Sequence, residues 1–129
     1  MNKKVVFDAS SLLILLQEES GAEKLKPLLD YAVMSAVNIS EVLNVLGRNK
    51  LSIEESMPLI NDMIAEIMPF DINQAELSAK LSSDDSIKGL SLGDRACIAL
   101  GMQMKLPIYT SDQLWKKVKL SSANIILVR

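Results

Sequence analysis

Histidine is absent from the 129 residues of this chain. Its absence excludes histidine-based general acid–base pairs, Ser-His-Asp triads and the usual zinc sites. Cysteine occurs once, at Cys97, so no intramolecular disulfide can form. We interpret Cys97 as a small core residue of a protein that works in a reducing cytosol. Any chemistry must therefore come from carboxylates, hydroxyls, lysine or arginine.

An excess of positive charge is also lacking, since the net charge is −2 and the isoelectric point is near 5.1. The chain thus has no basic footprint of the kind that most nucleic-acid binders show. Two small basic groups, Arg48 with Lys50 and Lys116 with Lys117, are candidates for phosphate contact. Solvated surface side chains are the simpler interpretation of both groups.

Long apolar runs are missing as well. The longest purely apolar run, Leu12 to Leu16, is far too short to span a bilayer. Lys3 and Lys4 precede it, but Asp8 interrupts the stretch and no cleavage site follows, which argues against a signal peptide. We therefore expect a soluble, cytoplasmic protein.

The length and a hydrophobic content of 49% predict a single globular domain over residues 1–129. Short apolar runs that alternate with helical patterns predict a parallel sheet of about five strands, covered by helices on both faces in an α/β/α sandwich. The predicted strands are Lys4–Phe7, Ala32–Val37, Met68–Asp71, Pro107–Thr110 and Asn124–Val128.

The helices are predicted from apolar spacing and from polar residues at their starts. Leu92–Leu100 is apolar almost all round, which is typical of a helix buried in the middle of a protein. The other predicted helices, with their caps, are Leu12–Glu18 behind Ser10 and Ser11, Ala22–Asp30 bent at Pro27, a helix from Asn38 through Leu46, a long helix from Ser52 through Ile67, a helix from Asp71 to about Ser83, and Leu114–Val118.

Four acids are predicted to lie at one edge of the sheet, beyond the carboxyl ends of the strands. Asp8 follows the first strand and Asp112 the fourth, while Glu41 and Asp94 lie in the first turns of helices. The four meet if the first, second and fourth strands are neighbours, because sites in parallel sheets form outside the carboxyl ends of strands. Like charges held together take up protons or bind cations, and oxygen ligands suit Mg²⁺ or Mn²⁺.

Helix capping is the simpler explanation of each acid taken singly. Glu41 comes three residues after Asn38 and Asp94 three after Ser91, the spacing of a capping box. In this interpretation Asp8 begins a turn, and Asp112 caps the short helix Leu114–Val118 that follows it. Asp71 also ends a strand, but we expect the third strand to lie further out, so Asp71 is interpreted only as a cap.

With these residues in view, the chain resembles the PIN-domain family, and within it the VapC-type toxins of toxin–antitoxin pairs. The resemblance covers essentially the whole chain, in the order and at the spacing of the family. The matching segments are VFDAS at Val6–Ser10, SAVNISE at Ser35–Glu41, GLSLGD at Gly89–Asp94 and LPIYTSD at Leu106–Asp112.

The resemblance implies a ribonuclease that depends on Mg²⁺ or Mn²⁺. Asp8, Glu41 and Asp94 match the three core acids of the family, and Asp112 matches the fourth, more variable one. Ser10 and Thr110 match hydroxyl positions that support the site, and Gly93 stands where alanine is common, a change that we expect to matter little. The resemblance also implies a homodimer and a small antitoxin that covers the acidic groove.

The residues themselves agree with water activated by one or two metal ions, since no imidazole pair can activate a 2′-hydroxyl. On this hypothesis Asp8, Asp94 and Asp112 hold metal directly, and Glu41 holds metal or orients the water. One alternative is a catalytically inactive PIN-like binding module whose acids are only caps. A receiver-type phosphoacceptor domain is a further alternative, although Asp8 lacks the acidic neighbour that such a site needs.

Overall fold

Within residues 3–129, which the computed structural model describes, the chain forms a five-stranded, all-parallel sheet in the order β3-β2-β1-β4-β5. Each strand is short, and the central strands are apolar and fully buried, as expected where helices cover both faces. The strands are β1 Val5–Phe7, β2 Ala32–Ser35, β3 Glu66–Met68, β4 Ile108–Thr110 and β5 Ile125–Leu127.

Six α-helices connect and cover these strands within the described residues. They are α1 Ala9–Leu16, α2 Ala22–Leu25, α3 Ala36–Arg48, α4 Ile53–Met63, α5 Ile72–Leu81 and α6 Leu92–Met104. Short 3₁₀ helices span Lys26–Tyr31, Asp85–Ile87 and Gln113–Lys117. None of the helices in residues 3–129 combines the length and the apolar character that crossing a bilayer requires.

Two hydrophobic cores lie on opposite faces of the sheet, because successive side chains of a strand point to opposite sides. Val5 and Phe7 of β1 belong to the core under α1, α2, α3 and α4, whereas Val6 between them belongs to the core under α5 and α6. In the second core, α6 is buried along Ala96–Gly101. The predicted α/β/α sandwich with its buried central helix is thus confirmed.

The position of β1 between β2 and β4 brings three strand ends together at the carboxyl edge of the sheet. This neighbourhood is the one on which the prediction of a shared acidic site depended. The third strand lies at the outer edge beside β2, also as expected. A receiver domain has the strand order 2-1-3-4-5, so the observed order contradicts the receiver alternative.

The third strand and the helix before it were predicted at the wrong residues. The strand is Glu66–Met68 rather than Met68–Asp71, and α4 ends at Met63 rather than reaching Ile67. At Ile64 the backbone becomes extended, and the Ala65 amide donates to the Ala32 carbonyl at 3.0 Å. The long helix was predicted because apolar residues continue at helical spacing from Ile60 through Ile64 to Ile67, across the junction between helix and strand.

Several helix starts also differ from the prediction. The side chain of Ser35, not Asn38, caps α3 by accepting from the Val37 amide, so the helix begins directly after β2. Likewise Asp8, rather than Ser10 or Ser11, caps α1 directly after β1. The predicted helix Ala22–Asp30 is α-helical only to Leu25, after which the 3₁₀ helix contains Pro27 in its first turn, where the missing N–H is tolerated.

The capping boxes of α4 and α6 were predicted correctly, as was the cap of α5. Ser52 pairs with Glu55 at the start of α4, and Ser91 pairs with Asp94 at the start of α6. Asp71 caps α5 by accepting from the Gln74 amide at 3.0 Å. In each case the cap stands directly before the first residue of the helix, and its partner follows three residues later.

Two helical glycines provide a test of how closely α6 packs on the sheet. A Cβ at Gly101 would lie 2.2 Å from Cγ1 of buried Ile108, whereas a Cβ at Gly47 would meet no atom within 4 Å. We expect Gly101→Ala to destabilise the fold by roughly 1–3 kcal/mol through overpacking, and Gly47→Ala to stabilise it by about 0.5–1 kcal/mol through helix propensity. Urea unfolding monitored by circular dichroism measures both, and equal effects would contradict the close approach of α6 to β4.

Candidate active site

Asp8 is the buried acid at the centre of the carboxyl edge. It directly follows β1 and is only 5% exposed. Its carboxylate accepts three hydrogen bonds: from the Thr110 hydroxyl of β4 at 2.5 Å, the Ser10 hydroxyl at 2.7 Å and the Ser11 amide at 2.9 Å. The side chain is thereby held in one orientation by groups from the end of β4 and from the first turn of α1.

Burial raises the pKa of Asp8 from 3.8 to about 6, although the hydrogen bonds from Thr110, Ser10 and Ser11 act in the opposite direction. Desolvation outweighs these bonds because a carboxylate loses most of its hydration in the core. A cation placed beside Asp8 would favour its ionised form.

Ser10 and Thr110 do more than contact Asp8. The Ser10 hydroxyl accepts from the Ser111 amide, and the Thr110 hydroxyl accepts from the Asp112 amide, each at 3.0 Å. The two hydroxyls therefore connect the buried acid to the segment that carries Asp112. They occupy the positions for which the family resemblance implies a supporting role.

Glu41 lies in the second turn of α3, because this helix begins at Ala36 rather than behind Asn38. The capping-box interpretation of Glu41 is therefore wrong. Instead, the side-chain amide of Asn38 donates to Oε1 of Glu41 at 2.8 Å and to the carbonyl of Gly93 at 3.0 Å. Glu41 is thus tied to the first turn of α6.

Gly93 is the point of α6 against which the Glu41 carboxylate rests. A Cβ at this position would lie 2.2 Å from Oε2 of Glu41. An alanine here would displace the Glu41 carboxylate from this position.

Asp94 is the acid of the capping box of α6, and Asp112 is the N-cap of the 3₁₀ helix Gln113–Lys117, as the simpler interpretation held. Oδ2 of Asp94 accepts from the Ser91 amide at 2.9 Å, and Oδ1 of Asp112 accepts from the Leu114 amide at 2.9 Å. The cap uses one oxygen of each carboxylate. Capping therefore fixes where these acids stand without occupying both of their oxygens.

The thiol of Cys97, on α6, is buried. Burial raises its pKa well above the ordinary value, and the negative charges of Asp8, Asp94 and Glu41 raise it further. Cys97 is therefore a protonated core residue, as expected from the sequence.

The acids form no ready metal cage in the described part of the chain, where no three potential ligands stand close enough to hold one ion. The Asp94 carboxylate turns towards the Ser91 amide, and the Glu41 carboxylate rests against Gly93. The donor set nevertheless fits Mg²⁺ or Mn²⁺ in type, because it consists of oxygen atoms alone. Mg²⁺ commonly takes only one or two carboxylates and keeps several waters.

The two basic groups singled out in the sequence lie at different distances from the acids. Lys116 and Lys117 belong to the 3₁₀ helix that Asp112 caps. Arg48 and Lys50 lie at and beyond the far end of the 13-residue α3, roughly 20 Å along its axis from the carboxyl edge. The structure therefore brings only the first group to the acids.

One contributor to the site was missed from the sequence. Asn38 was interpreted as a helix cap, whereas it is buried and binds Glu41. Its position three residues before Glu41 is a usable signal, because side chains three apart on a helix are neighbours.

Over residues 5–120, the sequence matches the PIN domain family. The chain belongs to this family. No significant match to a curated protein is found.

Solved structures agree with the PIN fold. A chain of a toxin–antitoxin complex from Klebsiella pneumoniae is similar with a TM-score of 0.76 at 16% identity, covering 98% of both chains. DNA-bound VapBC from Salmonella typhimurium gives a TM-score of 0.72 at 14% identity, again covering 98% of both chains. VapBC-5 from Mycobacterium tuberculosis gives 0.67 at 20% identity, covering 97% of this chain and 98% of that one. At these identities the likeness establishes the shared PIN fold.

The buried carboxyl of Asp8 makes the stability of the metal-free protein depend on pH. Its raised pKa gives a stabilising contribution that is complete below about pH 4 and is lost as the pH rises through about 6. We expect the unfolding free energy of the wild type, measured against that of Asp8→Asn, to fall by about 2 kcal/mol between pH 4 and pH 7.5. Urea unfolding of both proteins in EDTA checks this, and parallel pH profiles would show that Asp8 titrates normally.

Proposed function

We propose that this PIN domain is a metal-dependent endoribonuclease and the toxin of a toxin–antitoxin pair that acts in the cytoplasm. The observation that carries the proposal is the position of Asp8, Glu41 and Asp94 at the carboxyl edge of a PIN fold. Asp8 is bonded to Thr110 at the end of β4, and Glu41 rests against Gly93, the neighbour of Asp94 in α6. The three acids come from different elements, the end of β1, α3 and α6. Adjacent carboxylates repel one another, and a site shared with divalent cations relieves that cost.

The four acids have distinct roles in this proposal. Asp8, Asp94 and Asp112 hold Mg²⁺ or Mn²⁺, Glu41 holds metal or orients the attacking water, and Ser10 with Thr110 supports Asp8. When bound, the metal supplies the Lewis acidity and positive charge that phosphodiester hydrolysis needs at an otherwise acidic surface.

The residues of the chain prepare the site for this reaction. Three donors keep Asp8 in one orientation, and such preorganisation avoids reordering side chains during catalysis. The first turn of α6 stands at the same edge, and its positive dipole end favours an anionic phosphate. Since the chain has no histidine, positioning of water by Glu41 replaces the imidazole pair of metal-free ribonucleases.

We propose RNA as the substrate, a small antitoxin as the protein partner and a homodimer as the assembly. Support for the antitoxin comes from the structural neighbours, which include chains of toxin–antitoxin systems from two bacteria. Support for RNA and for the dimer comes from the VapC-type resemblance of the four acidic segments.

A second candidate function is a PIN-like binding module without catalysis. It is favoured by one observation, that Asp8 and Asp112 are N-caps and that Asp94 is the acid of the capping box of α6. The two functions differ in their response to metal, because an ion that binds only the folded state stabilises it, by about 2.7 kcal/mol at 100 times the dissociation constant. An inactive module gains no stability from Mg²⁺ or Mn²⁺.

Cleavage of a mixed, structured RNA pool tests the ribonuclease proposal. We expect cutting with Mg²⁺ or Mn²⁺, none in EDTA, and a loss of about 100-fold or more in Asp94→Asn because a carboxylate that holds metal is removed. Asp71→Asn is the matched control, since Asp71 also follows a strand and caps a helix but lies beyond the outer strand β3. It should keep wild-type activity.

Equal activity of the Asp94→Asn and wild-type proteins would remove Asp94 from the mechanism. Absence of cutting under every metal, together with no metal-induced stabilisation, would favour the binding module.

The position of Lys117 predicts a role in binding the RNA backbone. Its ammonium group contacts the Lys88 carbonyl in the loop that leads to α6, beside the acids. In the inactive Asp8→Asn background, we expect Lys117→Glu to weaken RNA binding and to reduce the slope of log K against log salt by roughly 1.

Lys50→Glu, which makes the same charge change at the far end of α3, should leave both quantities unchanged. Fluorescence anisotropy over a salt series measures them, and the same effect from both variants would mean that net charge alone acts.

A further inference from the structure

We propose that Asn38 and Gly93 form a seat that fixes the Glu41 carboxylate against the first turn of α6. These two residues are called the Glu41 seat. Its existence is argued from contacts alone, whereas its effect on metal binding rests on the proposed function. The seat makes Asn38 and Gly93 positioning residues for the acid that holds metal or orients water.

Asn38 supplies the bonding half of the seat. It is only 1% exposed, and its single amide group donates both to Glu41 on its own helix and to the Gly93 carbonyl on α6. The opposite orientation of the amide would turn its oxygen towards two acceptors, so the two bonds select the observed one. One buried group thereby determines both the position of Glu41 and its distance from α6.

Gly93 supplies the space. Oε2 and Oε1 of Glu41 would lie 2.2 and 2.7 Å from a Cβ at this position, so the carboxylate occupies the volume of the missing methyl group. The helical backbone at Gly93 suits any residue, so packing rather than conformational freedom accounts for the glycine. An alanine would force the end of the Glu41 side chain out of the seat.

The consequence concerns order in a flexible side chain. A glutamate on a helix surface samples several rotamers, and ordering it at the moment of metal binding weakens the affinity. The Glu41 seat orders the carboxylate beforehand, in the same way that outer-shell hydrogen bonds orient metal ligands. Removing either half of the seat should therefore weaken the binding of a divalent ion while the fold persists.

Calorimetric titration of the metal-free protein with Mn²⁺ measures this effect without an activity assay. We expect Gly93→Ala and Asn38→Ala each to weaken Mn²⁺ binding about tenfold or more. Gly47→Ala is the matched control for the first variant, because its added methyl group also lies on a helix but meets no atom within 4 Å. It should bind Mn²⁺ as the wild type does.

A double-mutant cycle separates positioning of Glu41 from general damage to the fold. In a Glu41→Ala background the seat has no carboxylate to hold, so adding Gly93→Ala should change the Mn²⁺ affinity less than twofold. A tenfold loss in both backgrounds would overturn the proposal, because the glycine would then act on the fold rather than through Glu41.

A metal-free measurement keeps the Glu41 seat testable if the proposed function fails. The side-chain amide of Asn38, observed by ¹⁵N NMR and assigned with Asn38→Ala, should shift and exchange faster with solvent in both Gly93→Ala and Glu41→Ala. If the wild type binds no Mn²⁺, the proposed function fails. The NMR signal of the Asn38 side-chain amide still shows whether the Glu41 seat exists. An Asn38 amide that is unchanged in both variants would contradict the seat itself.

Discussion

The hydrogen bond from the Thr110 hydroxyl to the buried Asp8 carboxylate joins the ends of β4 and β1 at the centre of the sheet. The segment that carries Asp112 is connected to the buried acid through this contact. The Thr110 hydroxyl also accepts a hydrogen bond from the Asp112 amide. The Ser10 hydroxyl donates to the same carboxylate and accepts from the Ser111 amide. A buried acid would weaken the fold if it lacked such donors. The hydroxyls therefore make it possible to keep a carboxylate in the core at all.

Capping and metal binding are compatible roles for the acids of this fold. A carboxylate at a helix start is held by backbone amides and sits in the positive end of the helix dipole, which offsets part of the repulsion between neighbouring acids. Asp8 and Asp94 are placed in this way at the starts of α1 and α6. Glu41 lies inside α3, so no backbone amide of a helix start holds its carboxylate. The contacts with Asn38 and Gly93 hold it instead.

The sequence predicted the parallel sheet, the outer position of the third strand and the buried central helix, and it placed the four acids at the carboxyl edge on the condition that the first, second and fourth strands are neighbours. Its errors fall at junctions between elements. Ile64 and Ile67 continue the apolar pattern of α4, yet the chain leaves the helix and enters β3 because backbone groups there can pair with β2. Ser35 replaced Asn38 as the cap of α3 for a related reason: β2 ends where the helix begins, leaving no loop between them.

The sequence by itself determined the chemistry available to this PIN domain: carboxylates and hydroxyls without histidine, each spaced to follow a strand or to open a helix. Those properties are local, so a linear pattern carries them. Only the tertiary structure decided which groups touch. That Asn38 binds Glu41 rather than capping a helix, and that Gly93 gives the carboxylate its space, depends on the approach of α3 to α6. The distance between two helices is set by packing across the whole core, and no spacing within one segment encodes it.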